Sequence, residues 1–298
     1  MNRKNFIKKT ILGTAGVATG SSILKAKNVT LKNSTYDKMM EQVGFNHLPE
    51  DAGITTKNKN GMQSVLHKAD TRGHANHGWL DTHHTFSFAR YYNPERMNFG
   101  VLRVLNDDAV AEGRGFGTHP HDNMEIISIP LEGDLEHKDS MGNSTTIKQG
   151  DVQVMSAGTG VSHSEYNKNK DKAVKFLQIW MFPNQRNVTP RYDQITLKDA
   201  NLKNQFFQVL SPSADDDGVW AHQNAWFHIG NLEAGHKDRY QIKASGNGVY
   251  AFILEGQVTI EGQTLSKRDG FGVWNTDSIS IIADKDAKVL LMDVPMVG

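Results

Sequence analysis

What most limits the fold of this chain is its punctuation. From Met62 onward, short runs rich in β-branched and aromatic residues alternate with Gly-, Asn- and Asp-containing turns. Residues 123–131 (NMEIISIPL), 151–156 (DVQVMS), 174–182 (VKFLQIWMF), 249–254 (VYAFIL) and 278–282 (SISII) have strand length and strand composition. Leu131-Glu132-Gly133-Asp134, Met141-Gly142-Asn143, Gln149-Gly150-Asp151, Glu261-Gly262 and Asp269-Gly270 carry hairpin chemistry. Long amphipathic helical patterns are scarce. The expected class is all-β, with closed barrels or a sandwich and few short helices.

The pattern repeats. Leu131-Glu132-Gly133 is followed by Gly150-Asp151, and Leu254-Glu255-Gly256 by Asp269-Gly270 at a similar interval, so two copies of one β unit are expected. Ser211 to Gly218 (SPSADDDG) falls near the join, lacks calcium-loop spacing and reads as a solvated loop.

Composition then limits the chemistry. The absence of cysteine excludes disulfides, thiolate-ligated zinc, iron–sulfur clusters and a thiolate nucleophile, whereas 13 histidines supply nitrogen ligands. Lys plus Arg (33) balances Asp plus Glu (33), which leaves no nucleic-acid footprint. The basic stretch Lys168 to Lys175 lacks stacking aromatics and reads as a solvated loop. No nucleophile elbow, phosphate loop or dinucleotide fingerprint is present.

Residues 1–27 have the layout of an export signal, with Arg3, Lys4, Lys8 and Lys9 ahead of a mildly apolar run and no acidic residue. Arg3-Lys4-Asn5-Phe6-Ile7-Lys8 resembles a twin-arginine signal with Lys4 in place of the second arginine. The expected location is therefore the periplasm, the alternative being a cytoplasmic protein with an amphipathic arm. The apolar run is too short for a stable membrane anchor. Loss of Arg3, Lys4, Lys8, Lys9, Lys25 and Lys27 with the arm would leave 27 basic against 33 acidic groups, a net charge of −6. Residues 28–60 form a polar extension, with a short helix expected over Tyr36 to Val43.

Two segments carry candidate metal chemistry. His119 and His121 are separated by one residue, as are His163 and Glu165, so each pair projects to one face of an extended strand. If the strands are neighbours, three imidazoles and a carboxylate converge. That donor set suits Fe(II) first, with Mn, Co, Ni, Cu or Zn as alternatives, and leaves open positions for substrate and dioxygen. Glu125 competes for the carboxylate position. Among the other histidines, His84 is expected to be a hydrogen-bonded structural residue near the core or pocket, with His83 facing the opposite way. His74, His77 and His137 are expected at the solvated surface, and His222, His228 and His236 lack ligand spacing.

Gly113-x5-His119-x-His121-x3-Glu125-x7-Gly133 nearly reproduces the first cupin motif, and Gly150-x5-Ser156-x-Gly158-x4-His163-x3-Asn167 resembles the second. With THPHDNMEIISIPLEG, LEHKDSMGN, GDVQVMSAGTGVSHSEY, LQIWMFPNQRNVTPRY and RGHANHGWLDTHHTFSFARYYNP, the chain from about residue 62 to 298 resembles the pirin family. It is nearest to the bacterial members described as quercetin 2,3-dioxygenases. The resemblance implies a bicupin of two jelly-roll β-barrels, with an N-terminal metal-binding cupin over 61–183 and a C-terminal cupin without metal over 184–298. It implies His119, His121, His163 and Glu165 as the ligands, with Glu125 as a hydrogen-bond partner orienting an imidazole. Ile242 and Ala244 stand where the second copy would need ligands. The implied reaction is oxidative opening of a flavonol heterocycle by O2 with release of carbon monoxide, in which Glu165 accepts the 3-hydroxyl proton. The implied partners are thus a small aromatic, flavonol-like substrate and O2, on a monomer. The alternative is a redox-responsive regulatory pirin that binds a protein partner.

Overall fold

The computed structural model describes residues 54–57, 61–197 and 202–296. The export arm and the helix expected over Tyr36 to Val43 lie outside the described residues. Within them the only helix is a three-residue 3-10 turn, Ala69–Thr71.

The strands follow in chain order. The first five are β1 (Ile54–Lys57), β2 (Gln63–His67), β3 (Gly73–Asn76), β4 (Leu80–His84) and β5 (Leu102–Val110). Next come β6 (Gly115–His121), β7 (Glu125–Glu132), β8 (Leu135–Asp139), β9 (Ser144–Ile147) and β10 (Asp151–Ser156). They continue with β11 (Val161–Asn167), β12 (Val174–Met181), β13 (Arg191–Thr196), β14 (Phe206–Ser211) and β15 (Val219–Trp220). Then follow β16 (Trp226–Leu232), β17 (Lys237–Gln241), β18 (Asn247–Glu255) and β19 (Gln257–Ile260). The last are β20 (Gln263–Ser266), β21 (Gly270–Trp274), β22 (Ser278–Ala283) and β23 (Ala287–Pro295).

They build two jelly-roll barrels, each from one large and one small sheet, and the repeat read from the turns is visible in their order. The small sheets run β6-β11-β8-β9 and β17-β22-β19-β20, the same winding twice. The large sheets run β13-β10-β7-β12-β5-β4-β3 and β1-β2-β21-β18-β23-β16-β14-β15. Their outer faces meet and bury Leu105, Ile127, Leu177 and Ile179 against Phe227, Ile229, Tyr250 and Leu290 in one apolar cluster. The protein is thus an all-β bicupin.

Two expectations need correction. A cut between residues 183 and 184 does not separate the barrels, because each lends a strand to the other. β2 pairs with β21 of the second barrel, and β13 pairs with β10 of the first. The exchange covers two sheet edges that would otherwise present unpaired main chain. Of the five turn signals, only Met141-Gly142-Asn143 and Glu261-Gly262 close hairpins, β8–β9 and β19–β20. The other three carry the chain from one sheet to another. Gly133 (φ 75°) and Gly150 (φ 91°) supply the left-handed backbone that two of these turns need, and at the third Arg268 takes it, with φ 68°. Burial of one face then decides which strand receives the next segment.

Asp107 ties the barrels together. Its Oδ2 accepts from Arg72 Nη1 at 3.2 Å and from Arg268 Nε at 2.8 Å, with all three side chains largely buried. Asp107→Ala would leave two guanidiniums without their shared carboxylate, so the expected cost is about 3 kcal/mol in urea unfolding. A change below about 0.5 kcal/mol, the range of an ordinary surface substitution, would show that the clasp is dispensable.

Candidate metal centre

The site lies in the first barrel, where β6 and β11 pair antiparallel. His163 sits opposite His119, and Val161 opposite His121. One extra residue on β6 shifts the register between His163 and Glu165. The three imidazoles face one another, with ring centroids 4.5 Å apart for His119–His163 and 4.9 Å for His119–His121 and His121–His163. One nitrogen from each lies within 4.8 Å of the others. Glu165 joins by its neighbourhood with His163, the two grouping with His137 at the same spacing.

The hydrogen bonds select the tautomers. Gly117 O lies 2.8 Å from His119 Nδ1, and a carbonyl only accepts, so Nδ1 carries the proton and Nε2 the lone pair. His137 Nε2 lies 3.0 Å from the Asp139 carboxylate and donates to it, which leaves His137 Nδ1 as an acceptor. His163 Nδ1 lies 3.5 Å from that atom and donates in turn, so His163 Nε2 also carries a lone pair. His163 Nε2 and His121 Nε2 are both buried without a protein partner. Such orphaned nitrogens are costly unless something electron-poor sits among them, and a cation fits that requirement.

Burial pushes His163 down to about 2 and His121 to about 4, the neighbouring imidazoles adding to the effect. Both rings are therefore neutral at physiological pH, the state that ligates metal. Glu165 accepts from Ser128 Oγ at 3.0 Å and from Gln178 Nε2 at 2.7 Å, one donor on each oxygen. Burial pushes its carboxyl up to about 7, helped by the Asp108 charge and opposed by these hydrogen bonds.

Glu125 does not orient an imidazole. It lies on the opposite face of its sheet, accepts from Ser156 Oγ at 2.7 Å, and faces Arg191 and the His222 main chain. The equal spacing from His121 misleads because Asp122–Met124 turn the chain between β6 and β7, with Asn123 at φ 46°, and reset the alternation. His137 is likewise not a surface residue but fully buried. The signal was in LEHKD itself, where Leu135, His137 and Asp139 share parity and the turn follows only after Asp139. His84 is buried and 2.9 Å from Asn106 Oδ1, while His74 and His77 are exposed. His74 lies on β3, stacked on His83 and bonded to Asp81, a second group of metal-capable side chains of which His74 is exposed and the other two half-buried. In the second barrel Ile242 and Ala244 border a polar recess, and among the described residues no group of three ligand side chains gathers there.

A cavity of about 740 Å³ opens on the site and reaches both His119 and Glu165. Phe88, Tyr91, Phe116 and Trp180 form aromatic walls, and Thr82, His84, Asn106, Asp108 and Gln178 add polar groups. Its size is that of a small-molecule pocket. His121 borders a separate recess of about 390 Å³, and Trp180 lies between the two.

The pirin family model matches residues 65–181, and the model of the quercetinase C-terminal cupin domain matches residues 208–294. The quercetin 2,3-dioxygenase of Escherichia coli (strain K12) is 47% identical over 232 residues, covering 78% of this chain and 99% of that protein. The chain belongs to the pirin family. The crystal structure of the bacterial pirin YhhW from Escherichia coli in complex with nickel(II) superposes on this pirin with a TM-score of 0.74. It is 45% identical, and the match covers 78% of this chain and all of that one (100%). A pirin-like protein of Caulobacter vibrioides is 38% identical, over 75% of this chain and 96% of that protein.

In this pirin the Asp139–His137–His163 chain holds the third imidazole in the tautomer that faces inward. Replacing His137 by Phe keeps the ring volume and removes the acceptor for His163 Nδ1–H. Equilibrium dialysis against a divalent ion is expected to show affinity reduced about 10- to 100-fold. Unchanged affinity would mean that the chain does not orient His163.

Proposed function

We propose that this pirin is a metal-dependent dioxygenase that opens the heterocycle of a flavonol, with one divalent ion held by His119, His121, His163 and Glu165. The observation that carries the reading is the convergence of three imidazoles, with His121 Nε2 and His163 Nε2 buried without a protein partner, beside an aromatic-walled cavity that reaches His119 and Glu165. Three nitrogens and one carboxylate suit Fe(II), and equally Mn, Co, Ni, Cu or Zn. A divalent ion bound there would supply Lewis acidity to the adjacent hydroxyl and carbonyl oxygens of a flavonol, lowering the pKa of the hydroxyl.

The rest falls to the protein. Glu165 would accept the hydroxyl proton as it loosens its hold on the ion, and Ser128 and Gln178 keep its two oxygens in place for that transfer. Phe88, Tyr91, Phe116 and Trp180 offer a planar aromatic ring an apolar lining beside the ligands. The name of the Escherichia coli relative supports the substrate class, and the nickel(II) in YhhW supports a divalent ion.

Oxygen consumption with quercetin tests the reading. Metal-loaded protein is expected to consume O2 only when quercetin is present, and Glu165→Gln to lower kcat at least about 100-fold with folding intact. Absence of quercetin-dependent uptake with each of Fe, Mn, Co, Ni and Cu would refute it.

A further inference from the structure

Asp108 borders the same cavity with no counter-charge. On β5 the two adjacent aspartates part company with the strand's alternation. Asp107 faces the second barrel and takes Arg72 and Arg268, whereas Asp108 faces inward beside Asn106. Asp108 is 5% exposed. The Thr82 hydroxyl, directly across the β4–β5 pair, bonds to it, and no protein group reaches Oδ1. Burial, with a smaller contribution from the Asp107 charge, pushes this carboxyl up to about 7.

A buried acceptor in this condition costs free energy that a ligand hydroxyl can recover. Asp108 belongs to none of the groups whose ligand atoms converge, so it is not accounted for by the ion. Trp180, which lines this cavity and the neighbouring recess, has a buried indole N–H without a protein acceptor.

We propose that Asp108 is a specificity-determining residue that accepts a hydrogen bond from a second phenolic hydroxyl of the substrate, distinct from the hydroxyl–carbonyl pair at the metal centre. The cavity thereby selects polyhydroxylated planar aromatics over analogues that carry the chelating pair alone. An analogue without the second hydroxyl buries Oδ1 unpaired, and a site built to bond a hydroxyl discriminates against its absence. The inference rests on the flavonol reading above.

The test is calorimetric titration of the iron-loaded protein under argon with quercetin and with 3-hydroxyflavone, whose only hydroxyl is the chelating one. Wild type is expected to bind quercetin at least about 10-fold more tightly. Asp108→Leu is expected to reduce that ratio about 10-fold, and Asp108→Asn, which keeps an acceptor oxygen, to hold it within about threefold. Asp108→Ala gives the same reading as Leu if the larger side chain prevents folding. Equal binding by wild type, or a ratio indifferent to Leu and Ala, overturns the proposal. Oxygen uptake measured in parallel separates the two readings. An Asp108-dependent ratio without uptake would sink the dioxygenase and leave Asp108 as a ligand-selecting residue. Uptake with a ratio indifferent to Asp108 would sink this inference alone, and binding of neither flavonol would sink both.

Discussion

The pairing of β6 with β11 is the constraint on which the rest depends. It sets His163 opposite His119 and brings His121 to the same ring cluster, so three imidazoles from two strands share one space. Neither strand could do this alone, since two histidines on one strand offer only half of a ligand set. β8 flanks β11 in the same sheet and supplies His137 and Asp139, and Ser128 and Gln178 from β7 and β12 reach Glu165 across the barrel interior. Ligands, orienting partners and cavity thus come from both sheets of one barrel, and a displacement of either would be felt at the site.

The second barrel has the same winding, and among its described residues no group of three metal-capable side chains gathers. Its large sheet covers the outer face of the first and exchanges an edge strand with it, and Asp107 joins the two through Arg72 and Arg268. The apolar cluster between the large sheets leaves the inward face of β5 and β12 free to carry polar groups. Alternation along a strand makes this division sharp. Leu105 and Asp107 serve the contact between barrels, and Asn106 and Asp108 serve the cavity.

Much of this was legible in the sequence because strand chemistry is local. The runs NMEIISIPL, DVQVMS and VKFLQIWMF correspond to β7, β10 and β12 within a residue or two, and the spacing of His119 with His121 and of His163 with Glu165 places each pair on one strand face. What the sequence could not show is pairing across the chain. β2 and β13 look like parts of their own halves, and only the completed sheets reveal that each closes the other barrel. The even spacing of Glu125 from His121 does not put both on one face because a turn between the strands resets parity, and His137 is buried because its strand persists to Asp139 before the turn begins. Asp108 is silent for a different reason. Nothing local distinguishes it from Asp107 until the two faces of β5 are seen to meet different surroundings.

The central claim is that one divalent ion is held by nitrogens from both β6 and β11 with a carboxylate from β11. Metal content of the folded protein after loading and exhaustive dialysis tests it most directly, with wild type compared to His119→Ala and His163→Ala, one change on each strand. The account predicts one ion per chain in wild type and essentially none in either variant, with the circular dichroism of the β fold retained. One ion still bound in both variants, or none in wild type with any of Fe, Mn, Co, Ni, Cu or Zn, would contradict it.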